Sequence, residues 1–221
     1  MITHLGIIAD GNRRWAKEHG LPSIEGHKKG LDAIEELVDA AEKAGIKYIT
    51  FYVFSTENWG RSAAEVAYIM KLAESKIISY AEKMQARNGK MVILGSKEKV
   101  SPKLVSAIEK AERITENCTG ITVGFCFNYG GEQEIVDAAK ISANEGEITS
   151  ESIRKHLYHP EIPDIDMVVR TSGEERISGF MLWRASYAEF MFLKKYFPEM
   201  TGKDLEGIIK EYDSRSRRFG K

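Results

Sequence analysis

The stretch Leu5-Gly-Ile-Ile-Ala-Asp-Gly-Asn-Arg-Arg-Trp15 decides how this chain is read. Its short apolar run suits a buried parallel strand, and Asp-Gly-Asn is loop chemistry that ends it. A carboxylate, loop N–H groups and two guanidinium forks therefore converge at one strand end. Asp10 suits a hard cation, while Arg13, Arg14 and the amides of Gly11 and Asn12 suit phosphate oxygens. The alternative is a plain strand-to-helix turn, with Asn12 as cap and the arginines solvated. Arg13, Arg14 and Trp15 in succession weigh toward a site.

Strand and helix signals alternate along the chain. Residues 7–9 read as a strand; Leu31, Ile34, Leu37, Val38 and Ala41 then recur at helical spacing, with Gly45 placed to end that helix. Residues 46–55 are β-branched and aromatic, a second strand. Ser62 and Glu65 form a capping-box pattern that opens a long helix, and Asn88-Gly89 closes it. Strands are predicted at 91–94, 121–127 and 166–169, with one or two extended pieces within 180–193. Helices are predicted from Ser101-Pro102, over 132–143 and 150–157, and at 201–218. No linker or repeat interrupts this order, so residues 1–221 read as one α/β domain, a mostly parallel central sheet flanked by helices.

Composition narrows the classes of function. A formal net charge of -1 leaves no global basic field, so no nucleic-acid partner is expected. Cys118 and Cys126 lack metal-type spacing and read as free buried thiols of a reducing compartment. No targeting pattern opens the chain, and the longest apolar stretch is too short to span a bilayer, so a cytoplasmic protein is expected.

Ligands in such folds sit at the carboxyl ends of strands. Four polar clusters fall at those positions: Asp10-Gly-Asn, Ser55-Thr-Glu-Asn-Trp59, Asn128-Tyr-Gly-Gly131 and Arg170-Thr-Ser-Gly-Glu174. Arg170, Arg176 and Ser178 suit a diphosphate clamp, and Arg13 with Arg14 suits another. For Arg61 and Arg176 the plainer reading is a surface salt bridge. His27 reads as a phosphate contact or a helix-start residue. G-x-x-x-x-G-K-[ST], G-x-G-x-x-G and G-x-S-x-G are all absent, which removes support for nucleotide-dependent phosphotransfer, dinucleotide binding and hydrolase chemistry. Apolar residues beyond one stripe of the helix from Ser62 mark a packed core or the lining of an apolar cleft.

Taken together, these motifs resemble the cis-prenyltransferase family, undecaprenyl diphosphate synthases in particular. The matching pieces also include Gly26-His27, Arg61, Val169 through Ser178, Leu182-Trp183, Tyr187-Ala-Glu189 and Arg217-Arg-Phe-Gly220. They run in family order over nearly the whole chain. The resemblance implies a cis-prenyltransferase fold and condensation of isopentenyl diphosphate with farnesyl diphosphate to undecaprenyl diphosphate, a lipid carrier precursor for cell-wall polysaccharide. It implies Asp10 as the essential carboxylate, holding Mg²⁺ together with Glu189. Gly11, Asn12, Arg13 and Arg14 would cradle the allylic diphosphate, with Trp15 and His27 beside it. Arg170, Arg176, Ile177 and Ser178 would hold isopentenyl diphosphate. Ser55, Thr56, Glu57, Asn58, Trp59 and Arg61 would wall the reacting carbons, with Asn58 orienting the departing diphosphate as proton acceptor. A homodimer is implied, residues 217–220 reaching the partner, with peripheral membrane contact for product release. Arg13 stands where many bacterial members have Gly, and Arg184 where Gln is common.

Overall fold

The computed structural model describes residues 1–215. The chain runs β1 (His4–Ile8), α1 (Asn12–Glu18), α2 (Ser23–Lys43), β2 (Tyr48–Ser55), α3 (Ala63–Ala86), β3 (Lys90–Leu94) and α4 (Pro102–Thr115). It continues through β4 (Thr122–Tyr129), α5 (Gly131–Glu145), α6 (Ser150–Lys155), β5 (Met167–Arg170), β6 (Glu189–Phe192) and α7 (Gly202–Ser214), with 3₁₀ turns at Thr56–Gly60 and Phe197–Glu199. The strands form one parallel sheet in the order β3-β4-β2-β1-β5-β6.

Alternation along the strands loads both faces. Leu5, Ile7, Ile49, Phe51, Val123 and Val169 face α2 and α7, packing on Leu37, Val38, Leu205 and Ile208. Ile8, Tyr52, Cys126 and Val168 point the other way, onto Ile162, Ile165, Phe180 and Met181. Burial on both faces is why these strands read as nearly continuous apolar runs. Beside α2, toward the β3 edge of the sheet, α3 and α4 cover Phe54, Ile93 and Phe127.

The predicted boundaries shift at informative places. The strand-to-helix turn is present after β1, but α1 begins at Asn12 and its cap is Gly11 in left-handed conformation (φ 101°) rather than Asn12. α2 begins at Ser23, two turns before the predicted stripe, because Gly26 and Gly30 lie against α1. A Cβ on Gly26 would stand 2.0 Å from the Asn12 carbonyl oxygen. Those glycines weaken a helix signal but permit the close approach that seats α1. Within 180–193 only β6 is extended. Both cysteines are free; Cys126 is buried, whereas Cys118 is partly exposed. Residues 217–220 lie outside the described residues.

Candidate active site

β1 and β5 are neighbours at the point where the strand order changes direction, since β2 lies on one side of β1 and β5 on the other. Crevices at such points bind ligands in open parallel sheets. Here Asp10 follows β1 and Arg170 ends β5. Arg170 donates from Nη2 to Asp10 Oδ2 at 2.9 Å, and from Nη1 to Ser178 Oγ at 2.9 Å and the Arg176 carbonyl at 2.5 Å. Asp10 Oδ1 accepts the Gly11 N–H at 2.7 Å and lies 3.2 Å from Arg14 Nη2. Thr171 locks the same loop, accepting the Asp10 N–H at 3.0 Å and donating to the Asp10 carbonyl at 2.7 Å.

Burial pushes the Asp10 carboxyl upward, but Arg170, then Arg14, outweigh it and hold the group below its ordinary range. Asp10 is therefore ionised at neutral pH. Gly11 is required where it stands: besides its φ, a Cβ would meet Tyr196 at 2.6 Å and Ser172 at 2.9 Å.

These residues line an open polar cavity of about 1490 Å³, and all four sequence clusters contribute to it. Its wall includes Arg13, Arg14, Arg61, Arg170 and Arg176, with His27. Every arginine there is matched by a carboxylate. Glu174 takes Arg14 at 3.0 Å and Arg176 at 2.6 Å; Glu65 takes Arg13 at 3.1 Å and Arg61 at 3.0 Å. Buried polar atoms are left without partners, namely His27 Nε2, Arg170 Nε and Asn12 Oδ1. Such atoms cost free energy unless something satisfies them, which makes the cavity a candidate binding site.

An apolar slot of about 550 Å³ opens from it between α2, α3 and the sheet, sharing Ala9, Asn12, His27 and Val53 with the polar cavity. Leu31, Ile69, Ala73, Ile77, Tyr80 and Phe125 line its length. Both readings of the long helix thus apply to different residues: Val66, Ala81 and Met84 are buried in the core, while Ile69, Leu72 and Ala73 face the slot.

Comparison with known proteins settles the family. The Prenyltransf family model, described as "Putative undecaprenyl diphosphate synthase", matches residues 8–220. The chain belongs to the undecaprenyl diphosphate synthase family. This prenyltransferase is 41% identical to the isoprenyl transferase of Neisseria meningitidis serogroup B over 99% of its own length and 89% of that protein's. It is 40% identical to the isoprenyl transferase of Thermotoga maritima, over 98% and 96%. Its fold superposes on lavandulyl diphosphate synthase from Lavandula x intermedia, crystallised with dimethylallyl diphosphate. That match has a TM-score of 0.95 and 31% identity and covers 100% and 98% of the two chains. A probable undecaprenyl diphosphate synthase from Campylobacter jejuni gives 0.87 and 29%, covering 100% and 99%.

Most of the residues singled out in the sequence meet in this prenyltransferase's cavity: Asp10 through Arg14, His27, Ser55 through Asn58, Arg61, Arg170, Arg176 and Ser178. Four do not. Trp15 lies outside the lining and stacks on His19 at 4.4 Å, because helical geometry turns it from the face that carries Arg14. Trp59 donates to Asn128 Oδ1 at 2.7 Å and packs edge-on against Phe54, a support for the wall rather than part of it. Ile177 packs into the second core.

Glu189 opens β6 opposite Met167, level with Leu5 in β1, and pairs with Arg215 at 3.0 Å. That is the amino end of the sheet, roughly 15 Å from the Asp10 end by strand rise. Within one chain Asp10 and Glu189 therefore do not share a cation. No group of three acidic, His or Cys side chains able to hold a metal occurs among the described residues. The donor set fits Mg²⁺ bound through one carboxylate, Asp10, with phosphate oxygens completing the shell.

Three contributors escaped sequence reasoning. Glu174 was quoted without a role, Glu65 was read as half of a capping box, and Tyr196 was not singled out. Ser62 does cap Glu65's N–H at 3.3 Å, but the Glu65 carboxylate faces Arg13 and Arg61. The ring of Tyr196 lies 5.9 Å from the Arg14 guanidinium. The spacings Arg61/Glu65 and Glu174/Arg176 offered a local signal for two of these pairs, whereas Arg13–Glu65 and Arg14–Glu174 join distant segments.

Proposed function

We propose that this cis-prenyltransferase condenses isopentenyl diphosphate with farnesyl diphosphate in successive steps to undecaprenyl diphosphate, the lipid carrier precursor for cell-wall polysaccharide. One observation carries the reading: an arginine-lined polar cavity continues directly into an apolar slot. Diphosphate heads fit the first and a growing hydrocarbon tail the second.

Arg170 and Ser178, already joined, suit isopentenyl diphosphate together with Arg176. Arg13, Arg14 and Arg61 with the Asn12 amide suit the allylic diphosphate. In each round the allylic C–O bond breaks, a C–C bond forms, and a proton leaves the isopentenyl unit for the departing diphosphate. Arginine forks stabilise the leaving charge, and fixing both heads supplies orientation. Mg²⁺, when bound at Asp10, would add further stabilisation of that charge. Asn58 accepts the Ser55 N–H on its carbonyl oxygen at 3.3 Å, and no described residue engages its NH₂, which suits orienting the diphosphate. A neutral amide is too weak a base to take the proton itself.

Residues 1–221 act as one catalytic domain, in the cytoplasm, as a homodimer with peripheral membrane contact when product leaves. Among the described residues no helix is long and apolar enough to cross a membrane. Likeness to the lavandulyl enzyme, crystallised with dimethylallyl diphosphate, favours a second reading with a shorter primer and product.

Incubation with farnesyl diphosphate, labelled isopentenyl diphosphate and Mg²⁺, with products resolved by length, tests both. A ladder ending at undecaprenyl length, abolished by chelator, is expected. A short end product transfers the assignment to the second reading, and no incorporation overturns both.

A further inference from the structure

Glu65 stands in the first turn of α3, and its side chain is 14% exposed. Its Oε2 meets Arg13 of α1 at 3.1 Å; its Oε1 meets Arg61 at 3.0 Å and lies 3.6 Å from Nε2 of His27 in α2. Arg13, Arg61 and His27 all line the polar cavity, whereas Glu65 lies behind them, outside its lining. Groups from α1, α2 and the segment before α3 thus converge on one carboxylate from its cavity side.

We propose that Glu65 is a positioning residue, drawing Arg13 and Arg61 together beside His27 so that they present one receptor to the allylic diphosphate. The inference rests on the diphosphate reading of the cavity given above.

The physical reason is repulsion. Two guanidinium groups facing the same small volume repel, and Arg13 is 56% exposed, free to swing into solvent. A carboxylate behind them offsets that repulsion and fixes each fork by a charge-assisted hydrogen bond, leaving the remaining N–H groups for the ligand. Burial raises the Glu65 carboxyl, but Arg61 and Arg13 outweigh this and keep it ionised. His27 is held neutral, lowered by burial and then by Arg61. Its Nε2 is buried and without a hydrogen-bond partner, a group waiting for a ligand oxygen or proton. Arg13 stands where the resemblance leads one to expect Gly, so the receptor has one more cation and a greater need for a counter-charge.

Glu65→Gln keeps the size of the side chain and the helix cap but removes the charge. Isothermal titration with inorganic pyrophosphate, and steady-state kinetics with each substrate varied, read the effect. The variant is expected to weaken pyrophosphate binding and raise the KM for farnesyl diphosphate about tenfold, the scale of one weakened hydrogen bond to a charged group. The KM for isopentenyl diphosphate is expected to stay within about twofold while kcat falls with the leaving-group contacts, a split between the two substrates that general loosening of the fold would not produce. In an Arg13→Gly background the same substitution is expected to cost less, because part of its effect runs through Arg13. Unchanged or tighter pyrophosphate binding by Glu65→Gln overturns the positioning role alone. A fall in kcat with both KM values rising together also overturns it. Absence of pyrophosphate binding by the unaltered protein overturns the diphosphate reading and this inference with it.

Discussion

Arg170, the last residue of β5, donates from Nη2 to Asp10 Oδ2 at 2.9 Å, tying together the ends of two adjacent strands. The Arg170 side chain is 6% exposed, so Asp10 is its counter-ion in a poorly solvated place. Arg170 and Arg14 in turn outweigh the effect of burial and hold the Asp10 carboxyl below its ordinary range.

Replacing Asp10 therefore removes a fixed charge at the proposed reacting centre. Asp10→Asn is expected to lower the rate of isopentenyl incorporation about 10²–10³-fold, the scale of losing one preorganised electrostatic contact. Initial-rate measurements on a variant with unchanged circular dichroism check this. A rate within a factor of about ten of the parent would remove Asp10 from the proposed chemistry.

Arg184, which stands where the resemblance leads one to expect Gln, is a core residue. Its Nη1 donates to Glu134 at 2.9 Å, and the two side chains are 1% and 0% exposed. Arg184 also donates to the carbonyls of Ile162, Tyr158 and His159, while Glu134 accepts from Tyr129 Oη at 2.5 Å and the Tyr158 N–H at 3.0 Å. Removing one member strands a buried charge. Arg184→Met is expected to cost about 3–5 kcal/mol of stability in urea unfolding, and Arg184→Met with Glu134→Gln less than either change alone would suggest. A cost below about 1 kcal/mol would show that the pair is better solvated than it looks.

His4 makes the fold acid-sensitive. It is fully buried, with Nδ1 2.9 Å from the Pro163 carbonyl and Nε2 2.9 Å from Thr50 Oγ1. A carbonyl can only accept, so Nδ1 carries the proton and Nε2 accepts from the threonine hydroxyl. Burial pulls its pKa down from 6.5 to about 4. In that window the unfolded chain binds the proton and the folded chain does not, so stability falls as pH drops below 6.5. The loss approaches roughly 3 kcal/mol near pH 4, at about 1.4 kcal/mol per pH unit. Urea unfolding from pH 7 to 4 should show this slope in the parent and lose it in His4→Gln. An identical slope in both would assign the acid sensitivity elsewhere.

Much of this molecule is legible in its residues because the signals are local. Apolar runs of strand length marked β1, β2 and β4, and Ser62, Ser101-Pro102 and Gly45 marked helix ends that the structure keeps. Where the reading slipped, a local signal met a tertiary demand. His27 marked the start of α2 only to within a turn, and the worth of Gly26 and Gly30 lies in contact with Asn12, on another element. Glu65 read as a cap residue because no local pattern reveals a carboxylate meeting an arginine 52 positions away.

The sequence by itself determined the alternating architecture, the four polar strand ends and the absence of nucleotide-binding motifs, since each depends on neighbours along the chain. Only the tertiary structure decided which of those polar residues share a space. Strand order brought Arg170 to Asp10, helix phase turned Trp15 away, and strand direction carried Glu189 to the opposite end of the sheet. The slot between α2 and α3 likewise exists only once two helices distant in sequence lie side by side. Charge pairing and cavity shape depend on distances in space, and those distances are set by packing.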